Sequence, residues 1–353
     1  MTKFLHSRAA LMCLLAVAAL IAFHAGWVDP GSALVFGALG VTQMTPGQAR
    51  VVDPILSTVA QGYQNAELIG NALFPQVPVG QRAGKILSFG KESFMAYDTA
   101  RAPGGPIKRI NVGYSSGNYA LVDHSLAAAV PIELMEEANA VPGIALGSAS
   151  VRTVQDALAL RLEIAQAALA TTAGNYQASN KTTLSGTSQW SDFSGTSDPI
   201  ADIETAKEAI RAKVGKRPNV VVMGAAVLAK LKMHPKIIDR IKYTGRDVAT
   251  VELLASLFGV QRVLVGDAVQ ANDAGTFSDV WGKYVVVAYT ELGSQAEMGR
   301  PSYGYTYQLG GYPMVSPARW DGDTRSWLYD VSDAVQPVIA ADLAGYLISA
   351  AVA

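Results

Sequence analysis

The chain has 353 residues, of which half are apolar and 16% are charged, with a formal net charge of −1 at pH 7. That apolar content excludes a disordered chain, and the near-zero charge excludes a dedicated nucleic-acid binder working by bulk electrostatics. With one cysteine, Cys13, no disulfide can form within the chain, so it is not a stapled secreted scaffold.

Residues 1–43 are the most apolar part. Lys3, His6 and Arg8 precede a run from Ala9 to Phe23, and a second patch covers Ala33 to Val41. The first run has the charged start and the length of a signal peptide. Extended to Val28 it approaches the roughly 20 residues that span a bilayer. Three readings stand side by side: an export or membrane signal, an apolar arm of the folded protein, and an upstream extension before a start at Met44. We expect the working protein to begin at Met44 or Thr45.

Residues 44–75 carry short helical turns at Pro54–Ala60 and Asn65–Gly70, then Leu73, Phe74 and Pro75. Residues 76–125 predict β structure with a long excursion. Strand-like runs at Ile86–Phe89 and Phe94–Tyr97 are broken by glycines and by Pro103 and Pro106. Between residues 82 and 109, Arg82, Lys85, Lys91, Arg101, Lys108 and Arg109 face only Glu92 and Asp98, a local excess of +4. A hairpin of this kind has too little apolar face to stand alone. Gly80 to Lys85 has a P-loop flavour, but the spacing is one residue short and Ile86 stands where a magnesium-binding hydroxyl is needed.

Residues 126–197 hold the longest predicted helix, 148–172. Val151, Val154, Leu158, Leu162, Ala165 and Leu169 form one stripe in steps of three and four. Ser148 or Ser150 caps its start and Gly174 lies past its end, giving a length of roughly 37 Å. From Gly174 to Ser197 the chain is polar, a surface loop or a small β excursion, with Tyr176, Leu184, Trp190 and Phe193 as its large apolar residues.

Residues 198–300 predict an α/β unit. Asp198 caps a helix that Pro199 opens and Gly215 closes, with Ile200, Ile203, Ala206, Ile210 and Val214 at helical spacing. Val220–Met223 fits a buried strand. Val227, Leu228, Leu231 and Met233 mark a second helix, and Pro235 interrupts the chain after His234. Ile237, Ile238 and Ile241 mark a third helix; Val248, Val251, Leu254, Ala255 and Phe258 mark a fourth, stopped at Gly259. Arg262–Val265 and Tyr284–Tyr289 are further strands. In residues 301–353, Tyr303, Tyr305 and Tyr307 share the period of a strand, and Trp327–Asp330 and Val335–Leu347 alternate apolar residues with turns.

The run Arg217 to Gly224, followed by Leu228, Leu231, His234-Pro235 and Ile238 to Tyr243, resembles the axial domain of tailed-phage major capsid proteins of the Hong Kong 97 type. The resemblance covers residues 44–353, and the opening from Met44 to Pro54 is similar to the usual start of such a protein. It implies an α+β fold with an N-arm at 44–75, an extended loop at 76–125, a peripheral domain at 126–197 with the spine helix, an axial domain at 198–300, and a return to the peripheral sheet at 301–353. It further implies an icosahedral shell built of pentamers and hexamers of this chain around double-stranded DNA held non-specifically. Scaffold, portal and decoration proteins are its expected partners, in a virion assembled in the host cytoplasm. The six basic residues of 82–109 are then candidate inter-subunit contacts. The family can strengthen its shells by lysine–asparagine isopeptide bonds; the loop offers Lys85 and Lys91, neither matching a linking position. Two alternatives stand beside this reading: an encapsulin-like protein shell, and an exported, membrane-anchored β-rich binding protein.

The residues offer little chemistry. His6, His24, His124 and His234 form no zinc motif, and the nucleophile elbow is missing. Asp123, His124 and Ser125 are adjacent, whereas triad partners must converge in space. Asp321-Gly-Asp323 reads as a turn before a cation site. We expect a non-enzymatic chain without cofactor or metal, and membrane contact is not expected.

Overall fold

The computed structural model describes residues 68–86, 100, 117–139, 146–242, 249–272, 274–291 and 302–353, all within the unit 52–353. The apolar runs of 1–43, most of the 44–75 segment, the predicted strand at 94–97, and Val248 lie outside the described residues.

Two sheets carry the fold. The first is built on β14 (Ser326–Ile339), fourteen residues long. One side of β14 pairs antiparallel with β4 (Val122–Pro131), from Ser326 opposite Pro131 to Val335 opposite Val122. It also pairs with β11 (Gly304–Leu309), β12 (Met314–Val315) and β13 (Arg319–Asp321). β1 (Gln76–Val79) joins β11 in parallel. Tyr305 and Tyr307, two residues apart and so on one face, pack with Val77, Val79 and Tyr119 in a separate small core. The Tyr119 and Tyr307 rings stack at 4.4 Å.

After α1 (Gly70–Leu73) and the short helix α2 (Ile132–Asn139), the long helix α3 spans Leu146–Thr171. Its first half buries Val151 and Val154 against Val315 and Val331 of the first sheet. Its second half departs from the expected stripe. There the buried residues are Glu163, Gln166, Ala167 and Ala170, while Leu162, Ala165 and Leu169 are only partly covered. Polar residues sit on the inward face, so counting apolar positions placed that face one residue too early.

The second sheet has the order β5 (Lys181–Thr183), β15 (Gly345–Ser349), β10 (Val285–Ala288), β6 (Val220–Gly224), β7 (Arg262–Gly266). Every residue of β6 and β10 is buried, which requires their unbroken apolar sequence. α4 (Pro199–Val214) packs on this sheet. The Asp198 carboxylate accepts from Ala201 N at 3.1 Å, Pro199 opens the helix, and Gly215 closes it at φ 70°. α5 (Ala225–Leu231), α6 (Pro235–Ile241) and α7 (Val251–Phe258) follow. Met233 and Ile238, expected on apolar faces, are about half exposed, because Met233 falls beyond the end of α5 and Ile238 points away beside buried Ile237. β8 (Val269–Ala271) and β9 (Phe277–Asp279) form a separate hairpin.

One expectation changes. The last strand, β15, does not complete the sheet beside α3: it lies between β10 and β5 in the second sheet. Tyr346, Leu347 and Ile348 are buried on both faces, which suits an interior strand. Gly345 passes Tyr303 so closely that a Cβ would fall 2.4 Å from its ring. The polar stretch 174–197 follows the second of its two readings, a small β excursion: it supplies β5, and its Trp190, Tyr176 and Leu184 are core residues.

Candidate inter-subunit site

The base of the expected extended loop is a two-stranded ladder. β2 (Ala83–Ile86) pairs antiparallel with β3 (Gly117–Ala120), Lys85 opposite Asn118. Of the six basic candidates, the structure describes Arg82 and Lys85; Lys91, Arg101, Lys108 and Arg109 lie outside the described residues. Lys85 is exposed. Arg82 is already engaged: Nη1 donates to both Asp123 oxygens at 2.6 Å, and Nη2 reaches the Tyr312 hydroxyl at 3.4 Å. Gly80 to Ile86 leads from β1 into β2, a strand-to-strand connection rather than a strand-to-helix turn, so the phosphate-loop geometry is missing there.

Asp123, His124 and Ser125 separate as strand neighbours must. Asp123 pairs with Arg82, Ser125 Oγ meets Ser332 Oγ at 2.8 Å, and His124 Nε2 meets Arg161 Nη1 at 2.9 Å. The last contact requires a neutral imidazole that accepts. Burial, then the Arg161 guanidinium, hold the His124 pKa below its ordinary value. A groove of about 200 Å³ opens here, where α3 crosses β4 and β14, lined by Leu158, Leu162, Val335, Arg161 and Asp333. Burial raises the Asp333 carboxyl, which accepts from Gln308. In Asp321-Gly-Asp323 the Asp321 carboxylate is spent on a turn, accepting from Asp323 N and Thr324 Oγ1. Among the described residues no group of three or more His, Cys, Asp or Glu could hold a metal ion. No described helix is long and apolar enough to cross a membrane.

A buried polar network lies elsewhere, on α3. Glu163, 1% exposed, accepts from Ile69 N at 3.1 Å, Gly70 N at 2.8 Å and Trp281 Nε1 at 2.7 Å. One turn on, Gln166 Nε2 donates to Asn71 Oδ1 and Thr306 Oγ1, and Thr306 Oγ1 donates to Phe74 O. Sequence reading missed both residues. The available signal was their spacing: Glu163, Gln166 and Ala170 recur in steps of three and four inside the helix.

Surface outside these contacts is apolar in places. Phe277 on the β8–β9 hairpin is 71% exposed, and Trp320 at the β13 edge is 44% exposed with its ring set edge-on to Trp327.

Comparison with known proteins places this geometry. The family described as phage major capsid protein E matches residues 165–345. The major capsid protein of Burkholderia phage BcepMu is 40% identical over 304 residues, 85% of this chain and 96% of that protein. The crystal structure of a phage-related protein from Bordetella bronchiseptica RB50 superposes with a TM-score of 0.74 at 45% identity, covering 86% of this chain and 99% of that one. The capsid protein of Cyanophage P-SCSP1u shares the fold at a TM-score of 0.54 and 10% identity, over 82% of this chain and 89% of that one.

Proposed function

The chain belongs to the phage major capsid proteins, with the Hong Kong 97-type fold, and we propose that its pentamers and hexamers close an icosahedral shell around double-stranded DNA in the host cytoplasm. The work is geometric. The sheet of β6, β7, β10 and β15 with its helices serves as the axial domain around five-fold and six-fold centres. α3 with β4 and β14 serves as the peripheral frame. Residues 44–75 act as an arm across neighbours, and the excursion carried by β2 and β3 lies over an adjacent subunit. Lys85, Lys91, Arg101, Lys108 and Arg109 make contacts there, while Arg82 braces the base of the loop from within its own subunit. DNA is held without sequence preference, scaffold, portal and decoration proteins join the assembly, and no catalytic step is involved.

The observation that carries this reading is the 40% identity to a major capsid protein over 85% of the chain. The hairpin base supports it, since two strands without a broad apolar face gain order from a partner surface. Sedimentation and electron microscopy of the purified full chain, with and without its scaffold, test it. Rings or closed shells are expected; a stable monomer under every salt and scaffold condition overturns the reading.

A further inference from the structure

Glu163 is the one carboxylate among the described residues that is fully buried, and its hydrogen-bond partners are all neutral: two backbone N–H groups and an indole N–H. Burial pushes its pKa up, and the three donors oppose that shift. A buried charge without a cation is a poor device for stability alone. Its geometry is more telling. α3 lies on the first sheet. Ile69 and Gly70 lead into β1 at that sheet's edge. Trp281 lies on the turn between β9 and β10, four residues before β10 of the second sheet, and its ring is wedged against the end of β7, where a Cβ on Gly266 would stand 2.0 Å from it. Gly70 is equally tight, a Cβ there falling 2.1 Å from Gln166 Oε1. One planar carboxylate therefore gathers groups 93, 94 and 118 residues away.

Apolar packing between the two sheets is non-directional and tolerates sliding. Hydrogen bonds to a carboxylate have preferred distances and angles, and do not. We propose that Glu163 is the positioning residue that fixes the angle between the two sheets of an assembling subunit, and with it the uniform curvature of the shell. This inference rests on the shell reading given above. Glutamine keeps the shape of Glu163 but turns one acceptor into a donor facing N–H groups, so it cannot satisfy all three partners.

The test uses the full-length chain with Glu163→Gln and Trp281→Phe, against Val331→Ala as a core change remote from this network. Hydrogen exchange at the Ile69 and Gly70 amides and the distribution of particle diameters are read together with thermal unfolding. Exchange at those amides is expected to accelerate in Glu163→Gln and not in Val331→Ala. The fraction of closed shells at the wild-type diameter should fall in Glu163→Gln and Trp281→Phe. Val331→Ala should keep its shell size although it unfolds at lower temperature. Unmoved exchange, or shell defects that simply track unfolding temperature across all three variants, overturns the proposal while uniform wild-type shells leave the shell reading intact. Wild-type protein that never closes shells overturns both.

Discussion

Gly224 and Gly282 meet so closely that a Cβ on Gly224 would stand 1.8 Å from the Gly282 carbonyl oxygen. Gly224 has φ −71° and ψ 157°, open to any residue, so the demand for glycine is one of space and not of backbone conformation. The contact lets the end of β6 pass the segment that carries Trp281. Gly224→Ala forces backbone apart and should cost about 1–3 kcal/mol or more. Gly174→Ala is the control: its Cβ meets nothing nearer than 3.9 Å. Differential scanning calorimetry should show a lower Tm for the first variant and little change for the second.

The continuity of α3 is tested by Ala165→Pro. The ring removes the bond from residue 165 to the carbonyl of Arg161 and clashes with the preceding turn, a cost of roughly 3 kcal/mol or more. Insoluble protein, or soluble protein that fails to assemble, is the expected result. Normal particles from this variant would show that α3 can bend there without consequence.

His234 makes stability depend on acid. Ser197 Oγ donates its hydrogen to Asp192 O at 2.5 Å, so His234 Nε2, 2.9 Å from Ser197 Oγ, must be the donor in that pair. Nδ1 then keeps a lone pair, buried, with no partner among the described residues. Burial first, then the Lys236 charge, lower the pKa, against a smaller opposing pull from Asp198. With the folded pKa below the ordinary value of about 6.5, stability falls as pH drops through that value. Thermal unfolding followed from pH 7.5 to 5 should show this fall, and His234→Gln should flatten it. An equal slope in both proteins would remove His234 from the account.

Arg82 and Asp123 separate folding from assembly. Their side chains are 47% and 54% exposed, so water screens the pair and it adds little to stability. Arg82→Ala should leave the unfolding midpoint nearly unchanged. If Arg82 only braces its own hairpin, assembly should persist with slower kinetics. Complete loss of shells at unchanged stability would instead make Arg82 a direct inter-subunit contact.

Much of this architecture is legible residue by residue. Asp198, Pro199 and Gly215 mark the ends of α4 because capping chemistry is local. Val220 to Met223 and Val285 to Val287 announce buried strands because both faces are apolar. The length of α3 follows from steps of three and four. The candidate contacts were less legible. Arg82 looks like a free cation in the sequence, and its partners Asp123 and Tyr312 lie 41 and 230 residues away.

The sequence by itself determined the local elements, their order, the family and the buried strands of the second sheet, since propensity, caps and hydrophobic period all act within a few turns of chain. Only the tertiary structure decided which sheet receives Tyr346 to Ile348, which face of α3 turns inward, and that Glu163 is buried. Those outcomes depend on hydrogen bonds and close approaches between distant residues: Glu163 with Ile69, Gly70 and Trp281, and Gly345 with Tyr303. A carboxylate reads as solvent-facing until the three donors that compensate its burial are brought beside it.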